Sequence, residues 1–534
     1  MWQQDYSPVA HSVGYSAALA ALPMLVLLYM LAIRRKAAWI SAIASLGSAI
    51  LVALLVYRMP PVRIVSAATF GMAFGLLPIG WITFNALLLY RLTLETGQFE
   101  VIKHSLSNLT GDRRCQALLI AFAFGAFIEG AAGSGVPVAV CAAMLAGMGF
   151  DRLKAAGICL LANTAPVVFG AIGLPIITLA KTTDLPIANL SSTVGRISAP
   201  LSLCVPAYMV VLMAGRKGLR GALPAAVTCG VSFAIVHVAV SNLIGPELAD
   251  VLAALAAIAS LVVLFRAWQP DGGAPAGKAS RIGVSAEFRA WLPYIFLAAC
   301  VLCWGTPAVR SALLKSSFPI KWPALHQVVL RIPPVVPVAA PYDAVYGFDW
   351  LASPGTACLI ASVLAAAFAG VSPARFMRVF AGNVRVMFLP LVTIASILGL
   401  AFLMNYSGAT STLGLAFAST GGFFPFFSPI LGWLGVFLTG SDASSNALFG
   451  NLQVTAARQL GLNPVLTASA NTVGGAMGKM ISVQSIAVAA AAAGMKPAEE
   501  SALFRFTFWH SVLLVAAVGC ITTICAYAIP WIVR

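Results

Sequence analysis

Three ionisable side chains stand in stretches that are otherwise apolar: Glu129, Asp442 and Lys479. Moving a charge out of water costs several kcal/mol even after relaxation, so such groups persist in a dry setting when they are paired, protonated or used. A carboxylate there can bind and release a proton; a lysine can hold an anion or neutralise a buried carboxylate. Glu129 precedes the small-residue run Gly133, Ser134, Gly135, and Asp442 follows Gly440 and Ser441. Glycine permits both a sharp bend and close approach of a ligand to the backbone. A half-helix starting at such a bend offers free N–H groups and a positive dipole end, which suit an anion. Near the C-terminal end of its arm, Glu129 meets a negative dipole and a dry surround, both favouring the proton-bound form. Glu129 and Asp442 are therefore the candidate proton-coupling groups. The competing readings are a structural hydrogen-bond donor for Glu129 and an N-cap for Asp442.

Around these groups lie polar side chains at helical spacing. Asp442, Ser445 and Asn446 fall at i, i+3 and i+4, with Ser444 beside them, and Lys479 shares a stripe with Asn471, Gly475 and Ser482. Asn163, Thr164, Asn471 and Thr472 are expected where their helices are interrupted, supplying amides and hydroxyls to a ligand. The competing role for them is helix–helix hydrogen bonding, worth about 1 kcal/mol or less in membranes. His237, alone on an apolar segment, reads as a packing residue. Cys300-x-x-Cys303 has no companion pair and reads as small apolar filler. No metal-ligand set and no cofactor motif is present in the sequence.

The elements that must position these residues are membrane helices. Of 534 residues, 60% are hydrophobic and only 9% charged, far below the share of about 25% in soluble domains. Long unalternating apolar runs recur from end to end, which fits helices rather than the short alternating strands of a barrel. The net charge of +16 is explained by Lys and Arg collecting in cytoplasmic loops, and no basic run has the aromatic interleaving of a nucleic-acid site. Arg34-Arg35-Lys36 after the first span puts that loop inside and the N-terminus outside. No removable signal peptide is read at the start.

Spans are expected near 38–57, 64–90, 155–180, 197–214, 222–243, 247–265, 290–308, 350–371, 386–405, 463–493 and 506–531, with both termini outside. Cys115 to Phe150 carry one charge, Glu129; as one straight helix they would run roughly 54 Å, too long for a hydrocarbon core. Basic residues on both sides make a re-entrant hairpin near 115–150 the better reading, and a second is expected near 423–452. The fold class is thus an all-α polytopic membrane protein of about twelve spans plus two hairpins. A first half, 1–265, is joined to a second, 290–534, by a Gly-, Ala- and Pro-rich cytoplasmic linker, 266–289. The proline-rich segment containing Trp322, Arg331 and Asp343 is expected to pack on the outer face.

The two hairpins resemble each other. G-A-F-I-E-G begins at Gly125 and G-V-F-L-T-G at Gly435; Asn163-Thr164 and Asn471-Thr472 follow at near-equal distances, each ahead of a G-A-x-G. Loop charges make this an inverted repeat, and inverted repeats with broken helices at mid-membrane point to a secondary transporter's binding site. The motifs G-A-F-I-E-G-A-A-G-S-G-V-P, N-T-A-P-V-V-F-G-A-I-G-L-P-I, G-W-L-G-V-F-L-T-G-S-D-A-S-S-N-A-L-F and N-T-V-G-G-A-M-G-K-M-I-S-V-Q-S-I closely resemble those of the bacterial L-lactate permease family. So do W-Q-Q-D-Y-S-P at the start and P-E-L-A-D near Glu247. The resemblance implies symport of L-lactate, D-lactate or glycolate with protons across the bacterial cytoplasmic (inner) membrane, with no cofactor. The oligomeric state is left open, a homodimer included.

Under that resemblance Lys479 is expected to hold the substrate carboxylate or to pair with Asp442 or Glu129. The binding set is then completed by the two tips, Gly133 to Gly135 and Gly440 with Ser441, and by the polar residues above. Ser134 departs from the family pattern, where a bulky aromatic is expected, and a smaller, polar tip could admit a different hydroxy acid. The alternatives are a carrier of another small organic anion, a channel, and an intramembrane hydrolase. For the last, A-G-S-G around Ser134 lacks the leading glycine of G-x-S-G, no H-E-x-x-H occurs, and Gly440-Ser441-Asp442 misses G-x-G-D.

Overall fold

A computed structural model describes residues 1–34, 36–107, 109–133, 135–268, 284–496 and 499–533. Among them, twelve helices are long and apolar enough to cross a membrane, so the chain is a multi-pass membrane protein. These twelve are not the twelve expected spans. Two are the first arms of the expected hairpins, Arg113–Ala131 and Gly421–Thr439. Ile187–Leu243 runs as one helical stretch broken at Gly215 (φ 69°, ψ −178°), and Ser191 Oγ donates to the Ser241 carbonyl at 2.8 Å. Its two halves therefore fold back on each other, as the expected spans 197–214 and 222–243 require. The expected span near 350–371 is a shorter helix, Pro354–Phe368. Pro373–Ser407 starts a dozen residues before the apolar run expected there, capped by Ser372.

Both expected helix pairs form. In the first, Arg113–Ala131, wound wider over Leu118–Phe124, packs antiparallel to Val136–Gly147. Cys141 Sγ donates to the Ile120 carbonyl at 3.1 Å, and the Arg113 guanidinium stacks 5.5 Å from the Phe150 ring where the two open ends meet. In the second, Phe424–Thr439 packs against Asp442–Gln459; Ser445 Oγ donates to the Gly432 carbonyl at 3.0 Å and Ser428 meets Gln453 further along.

The two spans that follow the pairs are both broken. Arg152–Ala162 ends at Asn163, and after a tight turn over Pro166–Phe169 the chain passes through Ala171, Ile172 and Gly173, all left-handed. A left-handed β-branched Ile is a rare, costly conformation. In the second half, Pro464–Lys479 ends at Met480 and Ser482 caps a new helix, Val483–Ala492. The break thus falls after Lys479, and Asn471 and Thr472 lie inside a continuous helix, contrary to expectation. The glycines that follow Asn471-Thr472 serve close packing: a Cβ on Gly474 or Gly478 would strike the carbonyl of Pro429 or Trp433.

The all-helical expectation has one exception. Trp2–Gln3 pairs in parallel with Val329–Leu330, which pairs antiparallel with Ala340–Pro341, and Phe318–Lys321 pairs with Val345–Phe348. Trp322 and Tyr346 seat this cap on Phe70 and Phe74, ring centres 5.1–5.3 Å apart. The chain start and the proline-rich segment therefore share one face. Helices extend into both ends of the expected linker, to Ala267 and from Val284; 269–283 lie outside the described residues.

Candidate functional site

Glu129 and Lys479, 350 positions apart, meet in the interior: Nζ donates to Oε1 at 2.8 Å. Glu129 lies on the last turn of the first arm and Lys479 at the last residue of Pro464–Lys479. The pair is almost out of water, with 3% and 10% of the side chains exposed. Room for the carboxylate comes from Gly170 in the broken segment, where a Cβ would fall 2.6 Å from Oε1. Glu129 Oε2 is buried without a hydrogen-bond partner.

Asp442 is buried at the second tip, and neither of its carboxylate oxygens has a protein hydrogen-bond partner. It is not the N-cap. Ser441 is, its Oγ accepting from the Ser444 N–H at 3.3 Å. Asp442 faces Gly475, one turn before Lys479, where any side chain would collide with Oδ1, and Lys479 and Glu129 are the charges whose fields reach it. Asp442 thus packs one helical turn away from the Glu129–Lys479 ion pair without joining it.

The polar residues of the repeat divide into two groups. Asn446 accepts from Asn471 Nδ2 at 2.9 Å and Thr472 Oγ1 at 3.0 Å while donating to the Pro175 carbonyl at 3.0 Å; Gln453 donates to Asn471 Oδ1 at 3.1 Å. This network ties the second arm to its following helix and to the broken segment of the first half. Asn446, Asn471, Thr472 and Ser445 are spent on it or on arm-to-arm packing, the role sequence reasoning had set against ligand binding. Ser482 caps its helix, accepting from the Ser485 N–H at 3.2 Å, and Thr164 donates to the Leu161 carbonyl at 2.7 Å. Asn163 differs: both side-chain atoms are buried at the helix break without a partner. Ser134 lies outside the described residues.

The two tips face one cavity of about 500 Å³, within the range of small-ligand sites. Gly133, Gly135, Gly440, Ser441, Asp442 and Ser444 contribute from the tips, and Glu129, Gly170 and Lys479 from the floor. The sequence reading missed Thr83, Thr393, Thr439, Gln484 and Ser485, which also line it. Thr439 and Gln484 were within reach of a closer look: one closes the motif G-V-F-L-T-G, and the other follows the cap of the helix after Lys479. Thr83 and Thr393 carried no signal, because each is a single hydroxyl in a long apolar run.

A family model described as L-lactate permease matches residues 16–529. The chain is 44% identical to the L-lactate permease of Bacillus subtilis and 42% identical to that of Escherichia coli K12, over the full length of both partners. It is also 42% identical to the glycolate permease GlcA of Escherichia coli K12, covering 98% of each chain. The chain belongs to the L-lactate permease family. The permease's cavity lies where two helix tips and two broken helices converge, the arrangement from which carriers build a site at mid-depth. The only ammonium on the cavity wall among the described residues is Lys479, and the N-terminal ends of Val136–Gly147 and Asp442–Gln459 adjoin the cavity at Gly135, Val136, Ser441 and Asp442.

Proposed function

We propose that this permease imports L-lactate and related 2-hydroxy-monocarboxylates, D-lactate and glycolate, with protons, by alternating access across a bacterial cytoplasmic membrane. The two helix pairs are re-entrant and inverted, and both chain ends lie on the outer side. The Glu129–Lys479 ion pair at the wall of the cavity carries the argument. Empty, the pair is neutral. A lactate carboxylate entering the cavity competes with Glu129 for the Lys479 ammonium, and the displaced Glu129, now without its counter-charge in a dry site, takes up a proton. The loaded site, lactate on Lys479 beside a protonated Glu129, is neutral again. Substrate and proton therefore enter together because neither alone leaves the buried charges balanced.

The same exchange explains why a proton is needed. Carrying a lone anion into a negative cell costs about 2.3 kcal/mol per 100 mV, and a co-bound proton cancels that cost. Asp442, within the field of the same lysine, is the second acidic group of the coupling site. The names of the relatives support lactate and glycolate as substrates, and the cavity's small polar tips suit a hydroxyl next to a carboxylate.

The test is uptake of labelled lactate by proteoliposomes holding the purified protein, under an imposed pH gradient and against a panel of unlabelled acids. Both lactate enantiomers and glycolate should compete, and accumulation should vanish when the gradient is dissipated. Accumulation that ignores the pH gradient, or competition by acids lacking the 2-hydroxyl at equal strength, would overturn the reading.

A further inference from the structure

Beside the first arm, and not among the residues lining the cavity, lies a second buried pair that the exchange above does not use. His237 Nε2 sits 3.2 Å from Asp250 Oδ1, and both side chains are fully buried, at 0% and 1% exposure. The contact is off the line of a hydrogen bond, so both imidazole nitrogens and both carboxylate oxygens are buried without a protein partner. Asp250 packs directly against the residue after Glu129: a Cβ on Gly130 would meet Asp250 Cβ at 2.8 Å. His237 is fixed between Phe233 and Phe169, ring centres 5.2 and 4.9 Å away, and Phe169 belongs to the broken segment that makes room for Glu129.

The charged groups whose fields reach Asp250 are Glu129 on the first arm and Lys479 on Pro464–Lys479; Glu247 stands in the turn before it. Leu118–Phe124 and Pro166–Phe169, which also pack on this helix (Ala249–Ala267), carry no titratable residue; Gly170–Thr183 brings Lys181 in its last turn, and Ile187–Leu243 brings, besides His237, the charges Arg196, Arg216, Lys217 and Arg220. The Lys479 ammonium is paired with Glu129, while the buried carboxylates of Asp442 and Asp250 have no hydrogen-bond partner, so with all three ionised these four groups would carry two uncompensated negative charges. A neutral Asp250, with an unprotonated His237 nitrogen 3.2 Å away, removes one of them and leaves a transferable proton in place.

We propose that Asp250 and His237 form a proton-holding site that exchanges its proton with Glu129 across Gly130, giving the proton a route separate from the substrate cavity. This rests on the proton-coupled reading of the Glu129–Lys479 pair. In the transfer, the O–H bond of Asp250 breaks as one forms on the Glu129 carboxylate freed by substrate; Asp250, left ionised beside His237, regains a proton from the aqueous phase. His237 positions and shares the proton.

Asp250→Asn and His237→Gln in proteoliposomes test the proposal. Asp250→Asn should keep lactate exchange at equal pH within about twofold of the unmodified permease. It should lose the roughly tenfold accumulation that a gradient of one pH unit sustains for one proton per lactate. His237→Gln should shift the pH profile of gradient-driven uptake and leave the KM for lactate unchanged. If Asp250→Asn does not fold, infrared difference spectra of the unmodified permease decide: lactate addition should change a protonated-carboxyl band sensitive to aspartate isotope labelling, still present in Asp442→Asn. Normal accumulation by Asp250→Asn, or no such band, overturns the proposal. Failure of the unmodified permease to accumulate lactate under a pH gradient would instead overturn proton coupling itself.

Discussion

Lys479 balances more than one buried carboxylate, and removing it should unbalance the interior more than removing Glu129. Because the pair is 3% and 10% exposed, solvent screening gives little relief, and deleting one partner of such a pair costs about 3–5 kcal/mol. Lys479→Met strands Glu129 and Asp442 together without a cation, which places it near the top of that range. Glu129→Gln leaves Lys479 facing Asp442, whose own oxygens lack partners, which places it near the bottom. The double variant Glu129→Gln/Lys479→Met removes both charges of the pair but leaves Asp442 without a cation, so it should recover part of the lost stability, a coupling of roughly 2 kcal/mol. The measurement is thermal and denaturant unfolding of the four proteins in one detergent, with lactate exchange and gradient-driven uptake measured in parallel. Part of the stability should return in the double variant while both transport activities stay lost. Glu129→Gln alone should keep exchange at equal pH and lose accumulation. A Lys479→Met protein as stable as the parent, or single effects that simply add in the double variant, would refute the reasoning.

Gly170→Ala should abolish uptake by pushing a Cβ into the Glu129 carboxylate, whereas Gly47→Ala, with open space around it, should be silent; uptake rates of the two variants compare them directly. Asn446→Ala leaves Asn471, Thr472 and the Pro175 carbonyl short of partners, at about 1–3 kcal/mol per unsatisfied group. It should lower the unfolding midpoint and the maximal rate more than the KM. Asp112 caps the first arm from outside the spans. Burial raises its pKa, but hydrogen bonds from the Arg114 side chain and from the Arg114 and Cys115 N–H groups outweigh that and hold it below its ordinary value. A depressed folded-state pKa stabilises above the unfolded value and is lost as pH falls through the folded one. Asp112→Asn should therefore be less stable than the parent at neutral pH, with the difference closing below about pH 4 when unfolding is followed against pH.

Much of the architecture was legible in the chain. Hydropathy fixes where helices run, because bilayer thickness and backbone hydrogen bonding leave few other solutions. The helix pairs were visible because Gly, Ser and Pro gather where the apolar runs are too long for one crossing, and the first broken span was marked by Asn163-Thr164. The second break was misplaced because its glycines signal close helix packing as readily as a bend; only the neighbouring carbonyls of Pro429 and Trp433 tell the two apart. The strands escaped notice because, at two to four residues each, they are too short to show a local periodicity.

At the site, the sequence alone picked out Glu129, Asp442 and Lys479 as ionisable groups in apolar stretches, and it passed over the equally buried Asp250. It could not say which carboxylate Lys479 takes, since that rests on contacts 350 positions apart. Nor could it separate residues that line the cavity from those that brace it. Asn446, Asn471 and Thr472 have the same chemistry as ligand-binding residues, and only their mutual distances show them satisfied by one another. His237 read as a lone packing residue because its partner, Asp250, arrives on a different helix. Residue type sets what a group can do; the tertiary fold, by bringing distant donors and acceptors within 3 Å or so of each other, decides which of those options is already taken.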